Sequence, residues 1–422
     1  MKVLVISNNC FAKNNSNGRI LGCLFKNIPS QDVSQLYVVP GTNDFEVCSN
    51  YFLISDRMVL NGLKSRKCIG KIQTEAERKD DVPKMSEFRS KYGRTSLTML
   101  LREVLWQTNI WWTPQLRKWL KGTKADVIVF QCGDAPFMYD MVERIACFLN
   151  IPVVLFNTEY YYFIKDSWLP GKDNKLYFSL FKRYLHSKIR KIISKASISI
   201  YNSNWLKNHY ENEFHQPSEV IYQSSDFRCM PDKVLHSLPK IVYVGNLGFG
   251  RWEPLVDIAK AVQTVNTDWS IDVYGVIQTD AVKELFKKTK GLNYKGTIPY
   301  DKVLGVIKQS DLLLLVENQA PHYAKSTEYG FSTKITDYLY SHIPIFAYGS
   351  TDNVGISYLK ENNAAFVISD KALLPKMLES AVTDTTQRKH IVESALNIAV
   401  RNHDAEKNAM MFKNMLEKVT TN

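Results

Sequence analysis

GNLGFGRW (245–252) joins a buried β-rich run, KIVYVGNL, to a helical pattern from about Glu253 to Val265. Glycines at such a strand-to-helix turn let the backbone approach a phosphate, and the first N–H groups of the helix are unpaired donors. The residues concerned are Gly245, Asn246, Gly248 and Gly250. Arg251 adds a guanidinium whose planar fork matches phosphate oxygens in bidentate fashion. A Gly-rich turn by itself also reads as a plain tight turn. The arginine inside it is what points to an anion.

A second set lies in EYGFSTKITDYLYSHIPIFAYG (328–349), where a helix is expected to open at Ser332 or Thr333 after a long loop. Lys334 falls in its first turn, where a cation opposes the helix dipole unless an anion meets it. The competing reading is a solvated surface lysine. Asp337 stands one turn later on the same face, placed to accept hydrogen bonds from vicinal hydroxyls such as those of a ribose. Glu328 precedes the helix near the same mouth.

In the first half, Asp134 in QCGDAPF and Glu159 in NTEYYYF each follow a buried run, at the C-terminal edge where open α/β sheets hold ligands. Either could take a proton from a bound ligand as general base. Asp134 also reads as a helix N-cap, and Glu159 as a hydrogen-bonded structural acid. The loop from Asn14 to Gly18, with Ser16 and Asn17, precedes a helix and can offer N–H groups to a ligand, or is a solvent loop.

These residues need a scaffold of strands that end side by side. The apolar runs KVLVIS (2–7), QLYVVP (35–40), DVIVFQ (126–131), PVVLFN (152–157) and SISIYN (197–202) read as parallel strands covered on both faces. From Lys240 onward, six strand-helix pairs alternate, a doubly wound pattern, and a last helix spans His403 to Val419. The polar stretch 64–95 reads as a long loop or insertion. The segment 95–120 has helical spacing through Leu97, Leu100, Leu101, Val104 and Leu105, then Trp111 and Trp112. Core packing is the preferred reading for it, ahead of a lipid-facing one.

A length of 422 residues implies two domains of about 200 residues each, hence a cleft. The expected division is 1–235, 236–400 and a C-terminal helix, 401–422, packing back on the N-terminal domain. Hydrophobic content of 45% with 23% charged residues is globular, and no window approaches the roughly 18 to 20 apolar residues of a membrane helix. The opening MKVLVISNN lacks the apolar core and cleavage site of a secretory signal, which predicts a cytoplasmic protein. The seven cysteines show no close C-x-x-C pair and the histidines no ligand spacing, so neither a disulfide framework nor a metal site is expected. A net charge of +12 favours anionic partners. No nucleic-acid-binding signature accompanies it, which leaves a phosphorylated substrate or an anionic membrane surface. KLYFSLFKRYLHSKIRKIISKA (175–196) reads either as a basic amphipathic helix for a bilayer surface or as a helix packed on the sheet with a solvated basic face.

The pieces GNLGFGRW, VYG (273–275), KGTIPYDKV (295–303), STKITDYLYSHIPIFA (332–347) and NGRILGCLF (17–25) together resemble GT-B glycosyltransferases, most closely the family-four type of bacterial surface-polysaccharide enzymes. The resemblance implies two Rossmann-like domains facing across a cleft. It also implies transfer of a hexosyl or related sugar, from a uridine or guanosine diphosphate donor, to a sugar or lipid-linked acceptor. Under it, Arg251 and the glycines meet the donor pyrophosphate, and Lys334 is a second phosphate cation beside Ser332 and Thr333. Tyr274 borders the donor, Gly296, Thr297 and Ile298 border the base, and Asp337 binds ribose. Glu328 matches the first acid of the family's paired-glutamate motif and contacts the donor sugar or its phosphate. Ser16, Asn17 and Gly18 match a loop near phosphate and acceptor, and no metal or other cofactor is implied. The two acids here stand nine positions apart instead of eight and the second is Asp, so retention and inversion both remain open. A nucleotide-sugar epimerase of the same fold and a non-catalytic subunit of a glycan assembly complex are the alternatives.

Overall fold

The computed structural model describes residues 1–13, 16–64, 69–75, 95–165, 167, 173–225 and 237–421. The chain forms two compact units, Met1–Tyr222 with Ala405–Asn422 (unit 1) and Gln223–Asp404 (unit 2). The sequence-based boundary at 235/236 lies outside the described residues.

The strands of unit 1 are β1 (Val3–Asn9), β2 (Val33–Val39), β3 (Asn50–Leu53), β4 (Lys71–Gln73), β5 (Val127–Gln131), β6 (Val153–Asn157), β7 (Ile198–Tyr201) and β8 (Ser218–Val220). They form one sheet in the order β4-β3-β2-β1-β5-β6-β7-β8. Every pairing is parallel except β3 with β4. Because neighbouring side chains alternate across a strand, Leu4 and Ile6 of β1 enter one core while Val3 and Val5 enter the other. Its helices before the crossover are α1 (Ser16–Leu24), α2 (Asp56–Gly62), α3 (Ser96–Gln107), α4 (Pro114–Thr123), α5 (Pro136–Leu149), α6 (Lys175–Ile193) and α7 (Asn204–Phe214).

The helical segment expected over 95–120 is two helices. α3 starts at a capping box between Thr95 and Thr98, and α4 at a Thr113 cap followed by Pro114, whose ring favours a helix start and ends any helix running into it. The core reading holds for Trp111, which is buried, and for Trp112, Leu100 and Leu105, which pack against the core, and is corrected for the rest of the stripe. Met99, Glu103 and Trp106 face inward, whereas Leu97, Leu101 and Val104 are exposed, with Leu100 and Leu105 partly buried.

Unit 2 is a parallel sheet of β9 (Ile241–Val244), β10 (Ile271–Tyr274), β11 (Leu292–Gly296), β12 (Leu312–Val316), β13 (Ile345–Tyr348) and β14 (Phe366–Ile368), ordered β11-β10-β9-β12-β13-β14. Its helices are α8 (Trp252–Val265), α9 (Asp280–Lys288), α10 (Tyr300–Lys308), α11 (Pro321–Thr327), α12 (Lys334–Leu339), α13 (Val354–Glu361), α14 (Leu374–Thr383) and α15 (Thr385–Asn402). The chain winds outward from β9 to β11, then restarts on the other side of β9 at β12. That reversal opens a crevice at the C-terminal ends of β9 and β12, where a doubly wound sheet accepts ligands. The closing helix α16 (Ala405–Thr421) belongs to unit 1. Its Phe412 meets the Phe25 ring edge-on at 5.1 Å, and Phe412 and Leu416 are fully buried, each worth about 1.5 to 3 kcal/mol by area. No described helix is long and apolar enough to cross a membrane.

Candidate functional site

The Gly-rich turn sits at the switch point of unit 2. Gly245 leaves β9 with its N–H donating to the Tyr274 carbonyl at 2.9 Å, which ties the turn to the end of β10. A Cβ on Gly245 would lie 2.4 Å from Lys334 Nζ, and one on Gly250 would lie 2.4 Å from the Tyr323 ring. Gly250 also has φ +68°, so glycine there serves both clearance and a left-handed backbone. Asn246 Oδ1 accepts from Gly248 N at 2.8 Å, bracing the turn from inside.

Arg251 ends the turn and starts α8. Its Nε and Nη2 donate to the two carboxylate oxygens of Glu317 at 3.0 and 2.9 Å, and both side chains are largely buried. The sequence motifs gave no role to Glu317. Its signal was position, since it follows β12 at the same C-terminal edge that singled out Asp134 and Glu159. The pair holds the guanidinium flat and leaves three of its five N–H donors for another acceptor. Glu317 further raises the Arg251 pKa against the lowering effect of burial.

Lys334 is the first residue of α12. Its Nζ donates to the Tyr243 hydroxyl at 3.3 Å and lies 4.7 Å from the centre of that ring. Burial, reinforced by the nearby Arg251 charge and opposed by Glu317, pulls its pKa down to about 7. It is therefore not the solvated surface lysine of the competing reading. Arg251 and Lys334 stand in one electrostatic neighbourhood about Tyr243, and Glu317 acts on both.

Asp337 is buried, and its Oδ1 accepts from Ser225 Oγ at 2.6 Å. Ser225 is held in turn beside the His403–Asp404 segment. His403 is fully buried and its pKa falls to about 4, mainly by burial, so its ring is neutral. Since the Gln223 carbonyl can only accept, Nδ1–H donates to it at 2.6 Å and Nε2 accepts from the Tyr358 hydroxyl at 2.8 Å. Glu328 closes α11, and its carbonyl accepts from Val354 N at 2.8 Å, the first residue of α13. A cavity of about 260 Å³ joins it to Glu317, with Asn318, Lys325, Ser350 and Asn353 also in the wall. Ser332 and Thr333 are partly exposed just before α12. Gly296, with φ +80°, Thr297 and Ile298 lie at the end of the edge strand β11, two strands from the turn.

In unit 1, Asp134 and Glu159 follow the adjacent strands β5 and β6. Burial pushes the Glu159 carboxyl up to about 7, and the Asp134 charge adds to the rise. The N-cap of α5 is Ala135, so Asp134 does not occupy the capping position. Glu103 of α3 supplies the missing acceptor, taking the Phe137 N–H at 2.9 Å. Its own carboxyl is raised to about 7, chiefly by burial. Ser16, Asn17 and Gly18 open α1 after β1, and Asn14 lies outside the described residues.

No protein-family model matches the chain, and no curated protein matches it. Solved structures do, over essentially their whole length. Anabaena HepE, solved in complex with UDP, superposes with a TM-score of 0.64 at 12% identity, covering 99% of this chain and 100% of that one. The sucrose-phosphate synthase of Thermosynechococcus elongatus gives 0.64 at 9% identity, with 100% of both chains covered. A glycosyltransferase from Rickettsia africae gives 0.60 at 14% identity, covering 100% of this chain and 99% of that one. The chain has the GT-B fold. In GT-B terms, the Gly-rich turn, Arg251, Glu317 and Lys334 all belong to the C-terminal unit, and Asp134 and Glu159 to the N-terminal one.

Proposed function

We propose that this chain transfers a sugar from a nucleoside diphosphate sugar to an acceptor hydroxyl, in the synthesis of a bacterial surface polysaccharide or glycolipid. The supporting observation is the convergence of Arg251 and Lys334 on a turn whose glycines leave no room for side chains. Backbone and cations can there close on one diphosphate. Uridine is the favoured base, because HepE, of the same fold, has been solved with UDP and with UDP-glucose.

As the bond between sugar and phosphate breaks, negative charge grows on the leaving diphosphate. Arg251, held in place by Glu317, and protonated Lys334 offset that charge without a metal ion. Asp337 takes the ribose hydroxyls. Glu328, at the cavity, contacts the donor sugar, and Gly296 to Ile298 border the base. On the acceptor side, Glu159 with Asp134 takes the hydroxyl proton, and the elevated Glu159 pKa suits a base working near neutrality. Ser16, Asn17 and Gly18 add backbone donors toward phosphate or acceptor. A thermal-shift screen against nucleoside diphosphates and their sugars tests this reading, because a ligand of the native state raises its melting temperature. Stabilisation by UDP or UDP-sugars supports it, and indifference to every nucleoside diphosphate overturns it. Incubation with the stabilising donor alone should yield no isomeric nucleotide sugar, which separates transfer from epimerisation.

A further inference from the structure

Helices α3 and α6 lie side by side in unit 1 and run the same way. Ser96, at the start of α3, donates through N and Oγ to Asp173, just ahead of α6. Gln107, at the end of α3, donates to the Tyr184 hydroxyl at 3.0 Å. Their outer stripes are apolar. Leu97, Leu101 and Val104 on α3 and Leu176, Tyr177 and Leu180 on α6 are 37% to 68% exposed, at matching levels of the two helices. Single exposed leucines are ordinary, but six such side chains on two neighbouring helices are more apolar surface than a free face usually keeps.

The charge on α6 is one-sided. α6 contains six Lys and Arg residues and no acid. Three of them are paired, Lys188 with Asp140, Arg190 with Glu213 and Lys191 with Glu143. Lys175, Lys182 and Arg183 have no ion pair among the described residues; Arg183 shares the outward face of Leu176 and Leu180, and Lys175 and Lys182 flank it on one side of the helix. Asp173, just ahead of α6, accepts from Ser96 and Ser167. On α3, Arg102 is paired with Asp56 and Glu103 is buried, so neither offsets the rim.

We infer that this face of unit 1 docks on an anionic lipid bilayer, with the leucines entering the interfacial region and Lys175, Lys182 and Arg183 meeting lipid phosphates. A second copy of the chain fits less well, because a two-fold interface would set the same unpaired cations against one another. The inference deepens the proposed reading, since such a surface presents a membrane-borne acceptor to unit 1, while its physical content rests on the patch alone.

The test is co-sedimentation of the full chain with phosphatidylcholine vesicles, with and without about 30 mol% phosphatidylglycerol, at low and high salt. The wild type should pellet with the anionic vesicles and be released by salt. L101E/L180E and K182Q/R183Q should each lower partitioning about tenfold or more, with the melting temperature and the UDP-induced shift unchanged. Wild-type protein that stays in solution at low salt overturns the inference, as do variants that pellet like wild type. A dimer in sedimentation velocity that L101E/L180E abolishes also overturns it, by making the face a contact between copies. Should a variant fail to fold, hydrogen exchange of the wild type decides: vesicles should protect the stretches 97–104 and 176–183, and unchanged exchange there refutes docking. Absence of any UDP shift beside intact vesicle binding would sink the donor reading alone.

Discussion

Lys334 offers the sharpest quantitative consequence of the proposed donor site. With its pKa near 7 in the free protein, the ammonium is about half protonated at neutral pH and about one-hundredth protonated at pH 9. A diphosphate held at Nζ favours the charged form, so binding above pH 7 must carry a proton in. If the complex keeps Lys334 protonated throughout, the apparent UDP dissociation constant rises roughly 50-fold between pH 7 and pH 9. Proton uptake should be about 0.5 at pH 7 and about 0.9 at pH 8. Below about pH 6 the terminal phosphate of UDP gains its own proton and affinity falls again, giving an optimum between about 6 and 7. Titration calorimetry in buffers of different ionisation enthalpy reads affinity and proton count together. Lys334→Met should bind weakly at every pH and lose the dependence above pH 7. Linkage gives an independent sign: the folded pKa is below that of the unfolded lysine, so above pH 7 the unfolded chain holds more protons. Stability of the ligand-free protein therefore gains a contribution as pH climbs from about 7 toward about 10.4. Flat UDP affinity from pH 7 to 9, or the same profile in Lys334→Met, would refute the reasoning.

Glu317→Gln keeps the shape of the Arg251 partner but removes the charge that raises the Lys334 pKa, so the upper limb of the UDP binding profile should move to lower pH; an unmoved limb in calorimetry contradicts that coupling. Gly245→Ala should push Lys334 Nζ aside and weaken UDP binding about tenfold with little change in melting temperature, because the clash is with the end of a flexible side chain. Glu159→Gln should lower turnover by about 10² to 10⁴ while leaving the UDP shift intact, measured by single-turnover transfer once an acceptor is in hand. Glu103→Ala, which strips the acceptor from the Phe137 N–H, should cost about 1 to 3 kcal/mol in denaturant unfolding without altering UDP affinity.

The fold was largely legible because its central strands are buried on both faces and read as unbroken apolar runs, such as VIVFQ of β5 and LLLLV of β12. The short strands β3, β4 and β8 were not, since a few partly polar residues near a sheet edge carry no distinct period. The helix α11 hides in a stretch read as loop, α15 went unread, and the closing helix read over 403–419 is α16. At the site, Gly245 and Lys334 were recognisable from local chemistry, a glycine at a strand end and a cation against a helix dipole. Their actual contact, Nζ filling the space a Cβ would need, is tertiary. The Glu317 partnership of Arg251 and the Ser225 partnership of Asp337 each join residues far apart in the chain, and no local spacing encodes them. The misread face of α3 has a related cause. A leucine stripe marks an amphipathic helix without saying which of its apolar positions the sheet covers.

A crystal structure of the UDP complex addresses the central claim most directly. Lys334 Nζ and the free guanidinium hydrogens of Arg251 should both lie within hydrogen-bonding distance of the same diphosphate, with Glu317 still behind the arginine. A diphosphate bound away from the 245–251 turn, with Lys334 still on Tyr243, would contradict it.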